Sequence, residues 1–370
     1  MRVLHIIPSL RKGGAERMAV TICNELHARG YEVRILVFSK ENAYNSFSKC
    51  PVDIVAARID LSIFGKTNAV VTDLVSYVKT FAPEVIHTHL FIAELVARWH
   101  LFPRTRYITH CHDNMPQLRA FAFPDLLSKK RLTELYERNF ICKKYSECNN
   151  RFVSISKHTQ DYYLQNLPKP FAKDITLLPN AIDMSLFYNK NTRPHDQLVI
   201  VNSGNFLPKK NSQLLVRIAF VLKKKAIPFR IIMLGDGDQK NATKSLADKL
   251  NVADCFCFAG YVDNVNECYN SATIYVHTAL YEPFGLVLIE AMSTGLPVVA
   301  LDGGGNADII EDGENGYLIE AQDPELFSDR ILSIWEDKER YQRMSRNAQE
   351  HAKKYDIKTY ADRLIQVYQD

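Results

Sequence analysis

Short apolar runs alternate with amphipathic stretches along most of the chain. Val3-Leu4-His5-Ile6-Ile7 reads as a buried strand, and 8–14 as a loop. A helix follows over 15–28, with Met18, Ile22 and Leu26 at helical spacing and Gly30 just past its end. The alternation continues with a strand at 33–38, a helix at 69–81, a strand at 85–88, a helix at 92–101 and a strand at 107–109. An amphipathic helix at 126–145 and a strand at 152–155 come next. The polar run 189–196 has no hydrophobic period and reads as a linker. Beyond it the pattern restarts: strand 198–201, loop 204–210, helix 212–225, strand 229–234, and the apolar run Ile274-Tyr275-Val276-His277 as a buried strand. A helical tail covers 355–368.

Strand, turn, helix, strand is the opening of a doubly wound parallel sheet, and it occurs twice. The expected fold class is therefore α/β, with Rossmann-like domains at 1–188 and 189–354 and a last helix at 355–370. The first turn offers Gly13-Gly14 in place of the full Gly-x-Gly-x-x-Gly fingerprint, which argues against a dinucleotide-dependent dehydrogenase.

Composition, with 46% hydrophobic and 24% charged residues, excludes disordered and fibrous classes. The net charge of +4 is mild but uneven: Arg98 to Lys157 carries twelve Lys/Arg against five Asp/Glu. Lys129, Lys130, Arg131, Arg138, Lys143 and Lys144 lie on the helix at 126–145, with Phe121, Phe123, Leu126 and Leu127 at its start. Basic plus aromatic suits an anionic membrane surface as partner; a solvated face is the other reading. Nothing suggests a nucleic-acid partner. The eight cysteines show no Cys-x-x-Cys pair or zinc-type array and read as reduced thiols. With no leader-like opening and no apolar run long enough to span a bilayer, a cytoplasmic protein is expected, resting at most peripherally on the membrane.

The most informative stretch is Glu282-Pro283-Phe284-Gly285-Leu286-Val287-Leu288-Ile289-Glu290. Pro283 suits the first position of a helix, whose free amides form an anion site. On such a helix Glu282 and Glu290 stand roughly 10–12 Å apart along the axis, about a sugar diphosphate with its ribose. Two glutamates on a helix also fit a plain solvated face. Likewise His110-Cys111-His112-Asp113 follows a strand where ligands approach such sheets, but its spacing suits no common zinc site, and a loop histidine without a role is the alternative.

The surroundings favour the functional reading. Phe258-Ala259-Gly260-Tyr261 precedes this stretch; Ala291-Met292-Ser293-Thr294-Gly295-Leu296-Pro297-Val298-Val299-Ala300, Gly303-Gly304-Gly305 and Asp312-Gly313-Glu314-Asn315-Gly316 follow it. Pro179-Asn180-Ala181-Ile182-Asp183 closes the first half. Together they resemble glycosyltransferase family 4, retaining enzymes of the GT-B fold. The resemblance implies two Rossmann-like domains around a cleft, with a C-terminal helix crossing back. It implies a nucleotide diphosphate sugar as donor, UDP-sugar before GDP-sugar, and a lipid-linked glycan or polysaccharide precursor as acceptor, with no cofactor. By the same resemblance Glu282 holds sugar hydroxyls, Glu290 binds the ribose diol and His112 faces the sugar. Lys210, or its neighbour Lys209, meets the diphosphate. Gly260 contacts the base through its backbone. Amides of Phe284, Gly285 and Leu286, with Gly14, complete the diphosphate cradle. These positive groups imply a site without metal.

Two positions depart from the family. Asn205 stands where Arg is usual, removing a cation from the leaving-group site, and Asp308 stands where Glu is more common. A GT-B epimerase or phosphorylase, and a non-catalytic sugar-nucleotide scaffold, are the competing functions.

Overall fold

The computed structural model describes residues 1–61, 67–121, 125, 128–188 and 197–370. The polar run 189–196, Phe123, Leu126 and Leu127 lie outside the described residues. The chain forms two compact units, Met1–Ala181 with Ile357–Asp370, and Ile182–Asp356.

In the first unit the strands are β1 (Arg2–Ile6), β2 (Glu32–Val37), β3 (Val52–Ile54), β4 (Arg58–Asp60), β5 (Asn68–Val70), β6 (Val85–His89), β7 (Arg106–Cys111), β8 (Arg151–Ser154) and β9 (Ile175–Leu177). Its helices are α1 (Gly14–Ala28), α2 (Thr72–Phe81), α3 (Phe91–Trp99), α4 (Lys129–Glu147) and α5 (Lys157–Asn166). Seven strands make one parallel sheet in the order β3-β2-β1-β6-β7-β8-β9, and β4 and β5 pair as a separate antiparallel hairpin. That hairpin corrects the expected helix at 69–81. Ala69 and Val70 are strand residues, and the helix begins only at Thr72.

The second unit carries α6 (Met184–Phe187), β10 (Leu198–Ser203), α7 (Ser212–Lys224), β11 (Phe229–Leu234), α8 (Lys240–Lys249), β12 (Phe256–Gly260), α9 (Val265–Ser271), β13 (Ile274–His277), α10 (Leu286–Ser293), β14 (Val298–Leu301), β15 (Gly316–Ile319), α11 (Pro324–Trp335) and α12 (Lys338–Ala352). Its six strands are parallel in the order β12-β11-β10-β13-β14-β15. The continuous apolar run of β14, Val298-Val299-Ala300-Leu301, follows from burial on both faces, as parallel sheets require; β6 is equally buried but carries His87, Thr88 and His89. The last helix, α13 (Ile357–Gln369), belongs to the first unit and packs on α1, where Arg29 donates to the Lys358 carbonyl at 2.6 Å and pairs with Asp362.

Both sheets reverse strand order once, between β1 and β6 and between β10 and β13. Ligands of open parallel sheets bind beyond the carboxyl ends of the strands at such points. The chemistry of this chain collects at both.

Among the described residues no helix is long and apolar enough to cross a membrane. The basic residues of α4 do not share one exposed side. Arg131 turns inward to Asp125 and Glu134, and Arg138 donates to the Asn166 carbonyl at 2.8 Å, leaving Lys129, Lys130 and Lys143 as the exposed cations.

Candidate functional site

In the second unit, the segments after β10 and β13 are tied to each other by their backbones. Leu280 N–H donates to the Lys209 carbonyl at 2.8 Å, and the Thr278 hydroxyl donates to the Lys210 carbonyl at 3.0 Å. This staple delivers Lys210 Nζ to 2.5 Å from Glu282 Oε2. Buried His277, at the end of β13, lies beside them with Nε2 3.2 Å from the same oxygen. Burial by itself would raise the Glu282 carboxyl. The Lys210 ammonium, helped by His277, overrides it and holds the carboxyl down at about 2. Glu282 is thus a carboxylate at any physiological pH. Lys209 points elsewhere, its ammonium 5.4 Å from the centre of the Tyr281 ring. Lys210 and His277 also line a pocket with Asn202, Gly204, Asn205 and Phe206. The Tyr261 hydroxyl donates to Asn205 Oδ1 at 3.2 Å.

The helix carrying Glu290 starts later than the proline suggests. Gly285 has φ +107°, a left-handed conformation that cannot lie inside a right-handed helix, so α10 opens at Leu286. Pro283 and Phe284 precede it, with Phe284 buried edge-on against Tyr355. Glu282 is in a bridge with Gly304, so the two glutamates are not rungs of one helix and the helical spacing argument fails. Neither is a solvated face: Glu282 is 9% and Glu290 2% exposed.

The glycine run explains how Glu282 is held. Glu282 N–H donates to the Gly303 carbonyl and Gly305 N–H to the Glu282 carbonyl, both at 2.8 Å. A Cβ on Gly305 would stand 2.1 Å from the Pro283 carbonyl oxygen, so only glycine admits this approach. Glu290 receives the Tyr269 hydroxyl at 3.4 Å. Gly260 ends β12 at φ +71°, its carbonyl accepting from Gly235 N–H at 2.7 Å.

The chain also contains an Asp-x-Asp, Asp236-Gly237-Asp238, a pair of carboxylates that the metal-free expectation overlooks. Asp236 pairs with Lys240 at 2.7 Å and accepts from Gly237 N–H at 2.8 Å.

In the first unit, Gly14 opens α1 behind Gly13, whose carbonyl accepts from the Tyr44 hydroxyl at 2.9 Å. His112 is not an isolated loop residue. It joins His5, His87, His89 and His110, all buried. Alternate strand residues share a face, and the registers His5↔His87 and His89↔His110 bring the rings of β1, β6 and β7 together at the switch point. His110 stacks on His112 with centroids 4.0 Å apart. Neighbouring nitrogens are 2.8 Å apart for His5 Nδ1 and His89 Nε2, and 2.7 Å for His89 Nδ1 and His112 Nε2. Two imidazoles on one tetrahedral zinc ion, bound at 2.0–2.1 Å, keep their nitrogens roughly 3.3 Å apart. The shorter separations are those of rings sharing protons. Burial, reinforced by the neighbouring rings, keeps them neutral; His5 is lowered to about 3.

Sequence patterns alone single out His112, Lys210, Glu282 and Glu290. They miss His277 and Tyr269, which stand beside the glutamates, and the histidines of β1 and β6. His87-Thr88-His89 carries a usable signal, because histidines two apart in a buried strand must face one side.

Two family models match consecutive parts of the chain: "Glycosyltransferase Family 4" over residues 12–186 and "Glycosyl transferases group 1" over 184–351. N-acetyl-alpha-D-glucosaminyl L-malate synthase of Bacillus anthracis is 27% identical over 206 residues, covering 54% of this chain and 54% of that protein. Poly(ribitol-phosphate) alpha-N-acetylglucosaminyltransferase of Staphylococcus aureus (strain COL) is 30% identical over 159 residues, 42% of this chain and 32% of that protein. The match thus spans about half or less of these relatives' length. The crystal structure of Anabaena Alr3699/HepE in complex with UDP and glucose shares the fold, with TM-score 0.79 and 21% identity over 100% of both chains. With two glycosyltransferase models meeting end to end along it and a GT-B fold, the chain belongs to the GT4-type glycosyltransferases.

Proposed function

We propose that this chain moves a hexose or N-acetylhexosamine from a nucleotide diphosphate sugar to a lipid-linked glycan or polysaccharide precursor, with retention and without a divalent metal. The observation that carries the reading is the Lys210–Glu282 pair at the switch point of the second sheet. Breaking a glycosyl–phosphate bond develops negative charge on the leaving phosphate and positive charge on the anomeric carbon. The pair holds the two complementary charges side by side and ready-made, which is the arrangement that lowers such a barrier. A bound diphosphate draws on Lys210, and Glu282, ionised because of that same lysine, faces the positive centre.

The other roles follow the family resemblance. Glu290, oriented by Tyr269, takes the ribose diol. Gly260 meets the base through its backbone, and His112 the sugar. Amides of Phe284, Gly285 and Leu286, and that of Gly14 at the start of α1, cradle the diphosphate. A UDP-sugar is favoured because the Anabaena neighbour was solved with UDP and glucose. The polymer named for the Staphylococcus relative supports a glycan-polymer acceptor. The exposed lysines of α4 suit an anionic membrane surface near such an acceptor.

Asn205 favours a second reading, donor binding without turnover, since it replaces a cation of the leaving-group site. Thermal shift against a nucleotide-sugar panel finds the donor, because a ligand of the folded state alone raises its stability. Release of nucleotide diphosphate with and without acceptor extract then decides. Acceptor-dependent release supports transfer; tight binding with no release supports the scaffold.

A further inference from the structure

The histidine cluster of the first unit meets the proposed reaction only at His112, yet its members are bonded to one another in sequence. His112 Nε2 lies against His89 Nδ1 at 2.7 Å, and His89 Nε2 against His5 Nδ1 at 2.8 Å. His5 Nε2 is 3.3 Å from the Tyr368 hydroxyl of α13, which in turn lies 2.6 Å from His87 Nδ1. We infer that these five side chains form one hydrogen-bonded relay of a single sense, which fixes His112 as an Nδ1–H donor, with Tyr368 as the positioning residue that ties His87 into the line.

Proton counting carries the inference. A neutral imidazole holds one proton, so each ring in the line must donate at one nitrogen and accept at the other. Were the Tyr368 oxygen to accept from both His5 and His87, its own buried O–H would be left without an acceptor among the described residues, so two arrangements satisfy every link and every proton. In one, His5, His87, His89 and His112 all carry the proton on Nδ1; in the other, all carry it on Nε2. No ring can change alone, because a single reversal sets two protons or two lone pairs face to face.

The ends decide between the two. His87 Nε2 is buried with no hydrogen-bond partner among the described residues. The all-Nε2 arrangement would bury an unpaired N–H there, whereas the all-Nδ1 arrangement leaves only an unused lone pair. Orphaned buried N–H groups are the rarer of the two in proteins. In the chosen sense His87 Nδ1–H donates to the Tyr368 oxygen, and the Tyr368 hydroxyl donates to His5 Nε2. His5 then donates to His89, and His89 to His112. Nδ1–H of His112 is left as a donor outside the relay. Its only other nitrogen is occupied, so His112 has no lone pair with which to act as a base. Burial and the neighbouring rings also keep its charged form out of reach.

Tyr368 is the one non-imidazole link, and it comes from the far end of the chain. Without its hydroxyl, His87 loses its acceptor and is released from the line, while His5 Nε2, left buried without its donor, stays bare by the same rule and keeps His5, His89 and His112 in their sense. The consequence for sugar binding rests on the reading of His112 given above; the relay itself does not.

Nitrogen-15 NMR of histidine-labelled full-length protein at neutral pH distinguishes a protonated from a bare ring nitrogen. Protons on Nδ1 of His5, His87, His89 and His112 are expected. A proton on Nε2 of His112, or unlike tautomers along the line, overturns the inference. In Tyr368→Phe the His87 signal should become a tautomer mixture while His5, His89 and His112 keep Nδ1–H; an unchanged His87 overturns the role of Tyr368, and mixtures at the other three overturn the inference.

Discussion

Lys210 and Glu282 show how one pair can serve both stability and chemistry. Removing the lysine alone leaves a buried carboxylate without its cation, which costs about 3–5 kcal/mol. Lys210→Ala should therefore lower the urea midpoint as well as kcat, the latter by roughly 10²- to 10³-fold. The double variant Lys210→Met with Glu282→Gln separates the two, because it removes both charges: stability should return while activity stays lost. Activity returning with stability would remove the pair from the chemistry. Lys209→Ala should do far less to kcat, since Lys209 rests on Tyr281. The lysine and both glutamates are legible in the sequence because they stand in a recognisable motif. The neighbours that tune them are not. Tyr269 precedes Glu290 by 21 residues on another element, and His277 is indistinguishable in sequence from any strand residue.

Element by element, the strands are the most legible feature, because runs such as Ile274-Tyr275-Val276-His277 are buried on both faces. Starts of helices are less so. Pro283 is a good first helical residue by local rules, yet the left-handed Gly285 and the buried ring of Phe284 postpone α10 to Leu286. Tertiary packing against the glycine run decides the matter. Gly305→Ala, whose new methyl would collide with the backbone at Pro283, should cost about 1–3 kcal/mol and displace Glu282. A crystal structure of the variant with Glu282 unmoved would contradict this account of the run. On α4, Lys129, Lys130 and Lys143 replaced together by Ser should reduce sedimentation with anionic vesicles, at about 1 kcal/mol per cation. Binding that is weak and indifferent to salt in the unaltered protein removes the membrane as a partner.

The strands β1, β6 and β7 make the first unit acid-sensitive. Their histidines are neutral when folded, with His5 and His110 lowered to about 3. A depressed histidine contributes stability that is present above the unfolded value near 6.5 and lost as pH falls toward 3, at up to about 1.4 kcal/mol per pH unit for each. Glu94, raised to about 7 by burial against the pull of Arg98, acts oppositely, losing stability as pH rises from about 4.5 to 7. With His112 just beyond β7, also held neutral, five rings outweigh one carboxyl, so the urea midpoint should fall steeply between pH 6.5 and 4. A flat midpoint over that range would mean the histidines are already charged in the fold.

For the whole molecule, the repeat of the strand–helix pattern makes two doubly wound units legible from the amino-acid sequence, and the return of the last helix to the first unit follows from the family resemblance. Register is beyond its reach. The pairings His5↔His87 and His89↔His110 assemble the cluster, and no local rule fixes strand order across 80 residues of chain. The proposed work of these parts is a retaining, metal-free sugar transfer. Its most direct test is proton NMR of the product formed from an α-linked nucleotide sugar, with and without excess EDTA. The anomeric coupling reads the configuration of the new bond, and the yield reads the need for metal. Lys210 and the backbone amides supply the positive charge at the diphosphate in this account, so an α-linked product in equal yield under both conditions is predicted. A β-linked product would contradict retention, and loss of product with EDTA would contradict the metal-free site and turn attention to Asp236 and Asp238.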